Sequence, residues 1–189
     1  STIDKISNKI AKAIIRDIIN DDSIKTLKVE GTKVYGAMDR AVSINEKGGK
    51  FVLSMHSSRI ANYETMNNEN VKGWYIGDGM TYVYGTDSET FTEYWPTVDR
   101  YHLPGVTNSL RERGDKSGER RGQTTSKAWV GGSCNGKETF VGMDMISWNK
   151  ATEMRKSYFM TDDGAILIAA SNINSKDGAV SYTHLTLPT

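Results

Sequence analysis

The sequence has little cysteine, no excess of either charge and no long apolar run. Its 189 residues include a single cysteine, Cys134, which excludes an internal disulfide framework and a cysteine-only metal site. The net charge of +1 provides no overall field that would recruit nucleic acid or an anionic membrane surface. No segment approaches the roughly 20 apolar residues that span a bilayer. We therefore expect no nucleic acid partner and no membrane insertion.

Residues 2–20 carry the pattern of an amphipathic helix. Isoleucines recur at three- and four-residue spacing from Ile3 to Ile18, with charged residues elsewhere on the helical wheel. Ser1 followed by Asp4 is a loose N-terminal capping signal, and the polar residues 20–23 end the pattern. Because this stripe is so apolar, we expect the helix to pack against this domain or against a neighbour outside the chain.

From residue 24 onward the sequence consists of short β-rich runs separated by Gly, Asn and Asp. Such runs carry β-branched and aromatic residues in partial alternation, and turn residues follow at short intervals. Many short strands with few helices predict a mostly β fold, an antiparallel β-sandwich with one N-terminal helix. The candidate strands are 26–30, 33–44, 50–56, 73–76, 80–84, 125–130, 137–147, 152–160 and 164–171.

Residues 54–107 are unusually rich in Asn, Glu, Arg, Trp and Tyr. Aromatic faces stack on the apolar faces of sugar rings, and amides and carboxylates bind sugar hydroxyls, so this composition suits a carbohydrate cleft. Aromatic residues also fill sandwich cores, and asparagines also form turns. The chemistry alone leaves both interpretations open, and for the tryptophans we expect core or sheet packing: Trp74, Trp95, Trp129 and Trp148.

The motifs of this segment are more specific than its composition. The sequences SMHSSRIANYE (54–64), NNENVKGWYIGDGMTY (67–82) and YWPTVDRYHLPGVT (94–107) follow one another in order. They resemble the central β region of polysaccharide lyase family 8, whose members cleave hyaluronan, chondroitin and xanthan. WVGG at 129–132 and MRKSYFM at 154–160 resemble later parts of the same domain.

This resemblance implies a fold, a reaction and a setting. The fold is a supersandwich similar to that of galactose mutarotase, and the reaction is β-elimination on a uronic-acid polysaccharide, which needs no cofactor and no catalytic metal. In the family, a tyrosine and a histidine move the proton, while an asparagine and an arginine bind the carboxylate. Those residues lie in an N-terminal α/α toroid, which this chain lacks. We therefore expect a secreted or cell-surface parent enzyme and no turnover by the isolated chain.

The resemblance also implies which residues of this chain face the cleft. Glu64 and Asn67 match the acid and amide that follow the Ser-Ser-Arg motif, where they support catalysis by orienting the catalytic groups and binding sugar. Glu69 and Asn70 are the alternative matches for this acid and amide, and with Arg59 they are candidates for substrate binding. The structural alternatives are a turn for each asparagine and a salt bridge to Arg59 for each glutamate.

The domain organisation follows from the same comparison. Residues 1–23 are predicted to be the end of a helical domain or a linker helix, 24–180 a partial β-sandwich domain, and 181–189 a non-native tail. The expected partners are an acidic polysaccharide and the missing toroid of the same enzyme. The rival hypotheses are a carbohydrate-binding module without chemistry and a purely structural β domain. The sequence does not choose among hyaluronan, chondroitin and xanthan.

Overall fold

Two antiparallel sheets of four strands form the body of the protein. The computed structural model describes residues 2–21, 30–47, 49–85, 90–117, 125–147, 149–178 and 181–183. The first sheet is ordered β1 (Gly31–Tyr35), β2 (Arg40–Ile44), β3 (Lys50–Ser54), β4 (Met80–Tyr84). The second is ordered β6 (Val130–Cys134), β7 (Thr139–Ile146), β8 (Thr152–Met160), β9 (Ile166–Ser175), and a short pair joins β5 (Thr107–Ser109) to β10 (Ser181–Thr183). The predicted mostly β, antiparallel class is confirmed.

The main core lies between the two sheets. Strand β8 alternates between buried and more exposed residues along its length, as expected when one face of a sheet is covered. Apolar side chains from both sheets meet there, and burial of this apolar surface is the main force that holds the sheets together. The buried members are Ala41, Phe51, Leu53, Met55, Val141, Met143, Met145, Met154, Tyr158 and Met160.

The hairpins are closed by turn residues whose chemistry suits the task. The Asn45 side chain accepts hydrogen bonds from the backbone N–H groups of Lys47 and Gly49, at 2.9 and 3.0 Å. Asn135 does the same for Lys137 and Glu138 at the β6–β7 turn. Such side-chain to backbone bonds stabilise a reversal without help from the sheet, which fixes the register of the strands on either side.

The N-terminal helix is shorter than predicted. A 3₁₀ turn (Thr2–Lys5) precedes α1 (Lys9–Asn20), because Asn8 accepts from the N–H groups of Ile10 and Ala11 and starts a new helix. The apolar stripe of α1 is exposed, with Ile10 at 74%. A one-turn α2 (Tyr94–Thr97) follows later in the chain. No helix within the described ranges is long and apolar enough to cross a membrane.

Several predicted strands differ from the structure. The run 33–44 is two strands, because a turn at 36–39 contains Asp39 at φ 50°. Residues 73–76 form a turn, and the strand expected at 125–130 begins at Val130 and continues through the glycines to Cys134. The run 26–30 lies outside the described residues except for Glu30, which is not in a strand. The boundaries at 23 and 180 and the non-native tail stay predictions; residues 181–183 pair with β5, and 184–189 lie outside the described residues.

Candidate functional site

Arg59 lies in a tight turn just after β3 and donates to three acceptors. Its backbone N–H donates to the Ser57 hydroxyl at 3.1 Å. Its guanidinium donates to a carboxylate oxygen of Asp39 at 2.8 Å and to the Ala128 carbonyl at 2.6 Å. The Asp39 side chain is fully buried, whereas 46% of the Arg59 side chain is exposed. A guanidinium fixed in this way keeps further N–H groups for an anionic ligand.

Glu64 and Asn67 lie in a tight turn on the surface. Met66 and Glu69 form an isolated antiparallel bridge, in which the Glu69 N–H donates to the Met66 carbonyl at 2.7 Å. Asn67 and Asn68 have φ values of 50° and 64°, the two left-handed residues that a type I′ turn requires. Asparagine tolerates this conformation, so the backbone explains the Asn-Asn pair. The side chains of Glu64, Asn67 and Glu69 are nevertheless exposed.

Further hydrogen bonds fix this turn to the rest of the chain. The Asn70 amide donates to the Glu64 carbonyl at 2.8 Å and so closes the segment 64–70, which we name the asparagine turn. Lys116 donates through its ammonium to the Asn68 side chain at 2.6 Å and through its backbone to the Val71 carbonyl at 2.7 Å. The four candidates Glu64, Asn67, Glu69 and Asn70 therefore share one exposed unit, whereas Arg59 occupies a separate turn.

An aromatic cluster lies beneath the asparagine turn. Trp74 is buried, and its indole N–H donates to the Gly114 carbonyl at 3.1 Å. Asn62 donates to the Trp74 carbonyl at 2.7 Å, and a Cβ at Gly77 would stand 2.4 Å from the Asn62 carbonyl oxygen. Glycine is thus needed at 77 for the two segments to approach. The buried apolar members are Tyr63, Trp74, Tyr75, Met80, Leu103 and Val106.

Ionisable side chains are buried where these segments meet the second sheet. The His56 Nδ1 lies 2.9 Å from the Gly77 carbonyl oxygen and 3.2 Å from a carboxylate oxygen of Asp78. A carbonyl only accepts, so Nδ1 carries the proton. Both side chains are buried, and Arg113 is 9% exposed. His56 is thus a hydrogen-bonded structural residue and does not line an open cleft.

Lys156 completes this group from the opposite side. It lies in the middle of β8, is 1% exposed, and donates to the Gly105 carbonyl. Gly79 and Gly105 have φ values of +88° and +76°, and a Cβ at Gly79 would collide with the Tyr158 hydroxyl. Left-handed glycines therefore let two backbone segments reach the lysine. We call Asp78, His56, Arg113 and Lys156 the charge cluster.

Burial shifts the ionisation of the charge cluster. Desolvation raises the pKa of Asp78, and the positive charges of His56, Arg113 and Lys156 oppose that rise. Desolvation lowers the pKa of Lys156 to about 7, and the Asp78 carboxylate opposes that fall. Both shifts favour neutral forms, as expected for charges removed from water. The cluster connects residues 56–79, which hold the asparagine turn, to the second sheet.

Sequence reasoning missed parts of this region. Trp74 is a core residue as expected, and Trp129 packs on Gly142 of the second sheet although it is 55% exposed. Trp148 lies outside the described residues. The acidic partner of Arg59 is Asp39, which no motif indicated. All five candidates, Arg59, Glu64, Asn67, Glu69 and Asn70, are exposed residues.

Comparison with known proteins identifies the family. A family model described as the super-sandwich domain of polysaccharide lyase family 8 matches residues 30–186. A hyaluronate lyase of Thermasporomyces composti is 37% identical over 93% of the chain, and a xanthan lyase of Bacillus sp. is 39% identical over 90%. The solved chondroitin AC lyase of Streptomyces coelicolor with chondroitin sulphate is 36% identical over 84% of the chain, with a TM-score of 0.77.

The chain therefore belongs to polysaccharide lyase family 8, and its matched part is super-sandwich domain. This confirms the resemblance that the motifs indicated. The chain spans 22% of the hyaluronate lyase, 17% of the xanthan lyase and 22% of the solved chondroitin lyase chain. It thus corresponds to a small part of each of these relatives.

Proposed function

We propose that the chain forms one wall of the substrate cleft in a bacterial polysaccharide lyase. The parent enzyme cleaves a uronic-acid polysaccharide, namely hyaluronan, chondroitin or xanthan, by β-elimination. The observation that carries this proposal is the asparagine turn, an exposed unit that contains both Glu64 and Asn67. An exposed surface of this kind suits a wall that faces a second domain.

In this proposal the residues of this chain bind and orient the substrate, and residues outside this chain transfer the proton. Elimination removes the C5 proton of the uronate and expels the oxygen at C4, which needs a base and a partner for the carboxylate. Those groups belong to the helical toroid outside this chain. The Asn67 amide donates to and accepts from sugar hydroxyls, Glu64 accepts from them or orients a catalytic side chain, and Arg59 attracts a uronate carboxylate. Glu69 and Asn70 bind hydroxyls at the edge of the turn.

Two further assignments go with this proposal. The toroid of the same polypeptide is the structural partner of the sandwich, and the acidic polysaccharide is the ligand. Such polymers occur outside cells, so the parent enzyme is placed in the extracellular space or on the cell surface.

The test uses the full-length parent enzyme with Glu64→Gln and Asn67→Gly. Glycine keeps the left-handed turn conformation and removes the amide, so Asn67→Gly separates a role in the cleft from a role in the turn. We expect each variant to lose about 100-fold in kcat/KM, because misplaced substrate costs that much. The measurement is the ultraviolet absorbance of the unsaturated product, and Glu138→Gln, at an exposed turn far along the chain, is the control.

The same variants separate the rival functions. Wild-type kcat/KM in both variants would contradict a role in the cleft. If this domain is a carbohydrate-binding module without a role in catalysis, it should bind oligosaccharides through this surface. Both variants of the parent enzyme should then keep full turnover. Clear lyase activity of the isolated chain would show that its own residues suffice for proton transfer and would overturn the division of roles.

A further inference from the structure

Trp129 lies on the outer face of the second sheet, on the side away from the main core. It is 55% exposed, and its ring rests on Gly142 of β7. A Cβ at Gly142 would stand 2.6 and 2.7 Å from two ring atoms, so only glycine lets the ring lie this close to the sheet. The six-membered ring of the indole thus lies against the backbone of Gly142, while much of the residue stays open to solvent.

The sheet surface beside this ring carries only small side chains. The residue opposite Gly142 on β6 is Gly131, the one on β8 is Ser157, and Ser157 faces Ala169 on β9. Cross-strand partners lie on the same face of a sheet, so these four small residues form a row beside the indole. No bulky side chain of the row rises next to the ring, and a planar ligand can lie over it.

Polar groups of both charges lie on the same face of the sheet, two residues along β7 and β8 from Gly142 and Ser157. An open depression of about 200 Å³ is lined by Lys127, Asp144, Glu153, Arg155 and Asn172, together with Met154. The Asp144 N–H donates to the Trp129 carbonyl at 3.0 Å, and its carboxylate lies 3.4 Å from the Lys127 ammonium. Arg155 is exposed and faces Asp144 across the strands. The depression therefore offers cations for a carboxylate and acceptors for hydroxyls on the sheet face that also carries Trp129.

The platform adjoins the Ser-Ser-Arg motif of the candidate site. The Ser58 N–H donates to the Lys127 carbonyl at 2.8 Å, and Arg59 donates to Ala128, the residue before Trp129. Residues 127–129 thus connect the candidate cleft to the depression.

We propose that Trp129 is a stacking platform for an acidic oligosaccharide, with Arg155 and Lys127 binding a carboxylate and Asp144, Glu153 and Asn172 binding hydroxyls. The acidic character of the ligand rests on the proposed function, and the platform itself rests on the geometry above. The subsite lies outside the cleft and holds a part of the polymer that is not cleaved. It therefore contributes affinity for long substrates and leaves the chemical step unchanged.

The first experiment measures binding of hyaluronan and chondroitin oligosaccharides to the 189-residue chain by calorimetry. We expect Trp129→Ala to raise Kd at least about tenfold, as loss of an aromatic anchor does. Gly142→Ala should weaken binding too, because the new Cβ displaces the ring. Phe159→Ala, a 41% exposed aromatic on the same face, is the matched control and should leave Kd unchanged. Arg155→Gln should weaken binding of acidic oligosaccharides and not of neutral glucose oligosaccharides of equal length.

Unchanged affinity in Trp129→Ala, with an unchanged melting temperature, would overturn the proposal. So would an equal loss in Phe159→Ala, since that would indicate a general apolar surface. In the parent enzyme, Trp129→Ala should raise KM for long polymer and leave kcat for short oligosaccharides unchanged. If Trp129→Ala leaves the KM of the parent enzyme for long polymer unchanged, another part of the enzyme covers the ring. That result also overturns the proposal. Binding is measured apart from turnover, so a failure of the proposed lyase function is distinguishable from a failure of this subsite.

Discussion

The two interiors of the molecule are built from different chemistry. Between the sheets the buried cluster is apolar, with Leu53 and Met143 fully excluded from solvent. Behind the asparagine turn the buried groups include the carboxylate of Asp78, the ammonium of Lys156 and the imidazole of His56. Apolar burial is non-directional and tolerates repacking, whereas hydrogen bonds and ion pairs fix distances and angles. The sheet interface therefore supplies stability, and the charge cluster sets the position of the segments that hold the candidate site.

Among the predictions that test this comparison, Asp78→Ala should have the largest effect on stability. Lys156 and Arg113 would remain in the interior without their carboxylate, and such a loss costs about 3–5 kcal/mol of unfolding free energy. Urea unfolding followed by far-ultraviolet circular dichroism measures it. Asp162→Ala, at a side chain 55% exposed, should change stability by less than about 0.5 kcal/mol. A loss in Asp78→Ala below about 1 kcal/mol would contradict the importance of the cluster.

Leu53→Ala tests the other interior and sharpens the comparison. Its cavity between the sheets should cost about 2–5 kcal/mol, a similar amount, but without a local effect on the site. Amide hydrogen exchange separates the two variants. In Asp78→Ala the N–H groups of Glu69 and Gly73 should exchange faster than the loss of global stability explains. In Leu53→Ala the exchange of the same groups should change only as much as global stability does. The same exchange pattern in both variants would remove the distinction between the two interiors.

The pH dependence of stability gives a smaller but specific effect. Burial lowers the pKa of Lys156 from 10.5 to about 7, so between these values the unfolded chain holds a proton that the folded chain has released. Stability therefore rises with pH across this window, at up to ~1.4 kcal/mol per pH unit. In Lys156→Met that rise should vanish, while Lys137→Met, at a side chain 77% exposed, should retain it. Unfolding midpoints from pH 7.5 to 9.5 measure the difference, and parallel curves for Lys156→Met and the unchanged chain would contradict the assignment.

Local sequence patterns predict some of the strands and the buried lysine, but they do not predict contacts between distant parts of the chain. Strand 80–84 was predicted to the residue, because β-branched and aromatic runs between turn residues leave little choice of period. The alternation in MRKSYFM also places Lys156 on the face of Met154 and Tyr158, which is a legible sign of a buried charge. Its partner Asp78 lies in a different part of the chain, and no local pattern encodes that contact. Trp129 packs on a sheet as expected, but its exposure was not predicted, because it depends on the register that puts Gly142 beneath the ring.

The asparagine turn carries a prediction of the smallest expected effect, and it separates two roles of one side chain. Asn67 has a φ of 50°, a conformation that costs an ordinary residue about 1–2 kcal/mol. Asn67→Ala should therefore lower the unfolding free energy of the chain by about 1 kcal/mol, whereas Asn67→Gly should leave it nearly unchanged. Urea unfolding of both variants checks this, with Asn174→Ala in a strand as control. Equal losses in the alanine and glycine variants would mean that the amide itself stabilises the fold, and Asn67 would then be a structural residue first.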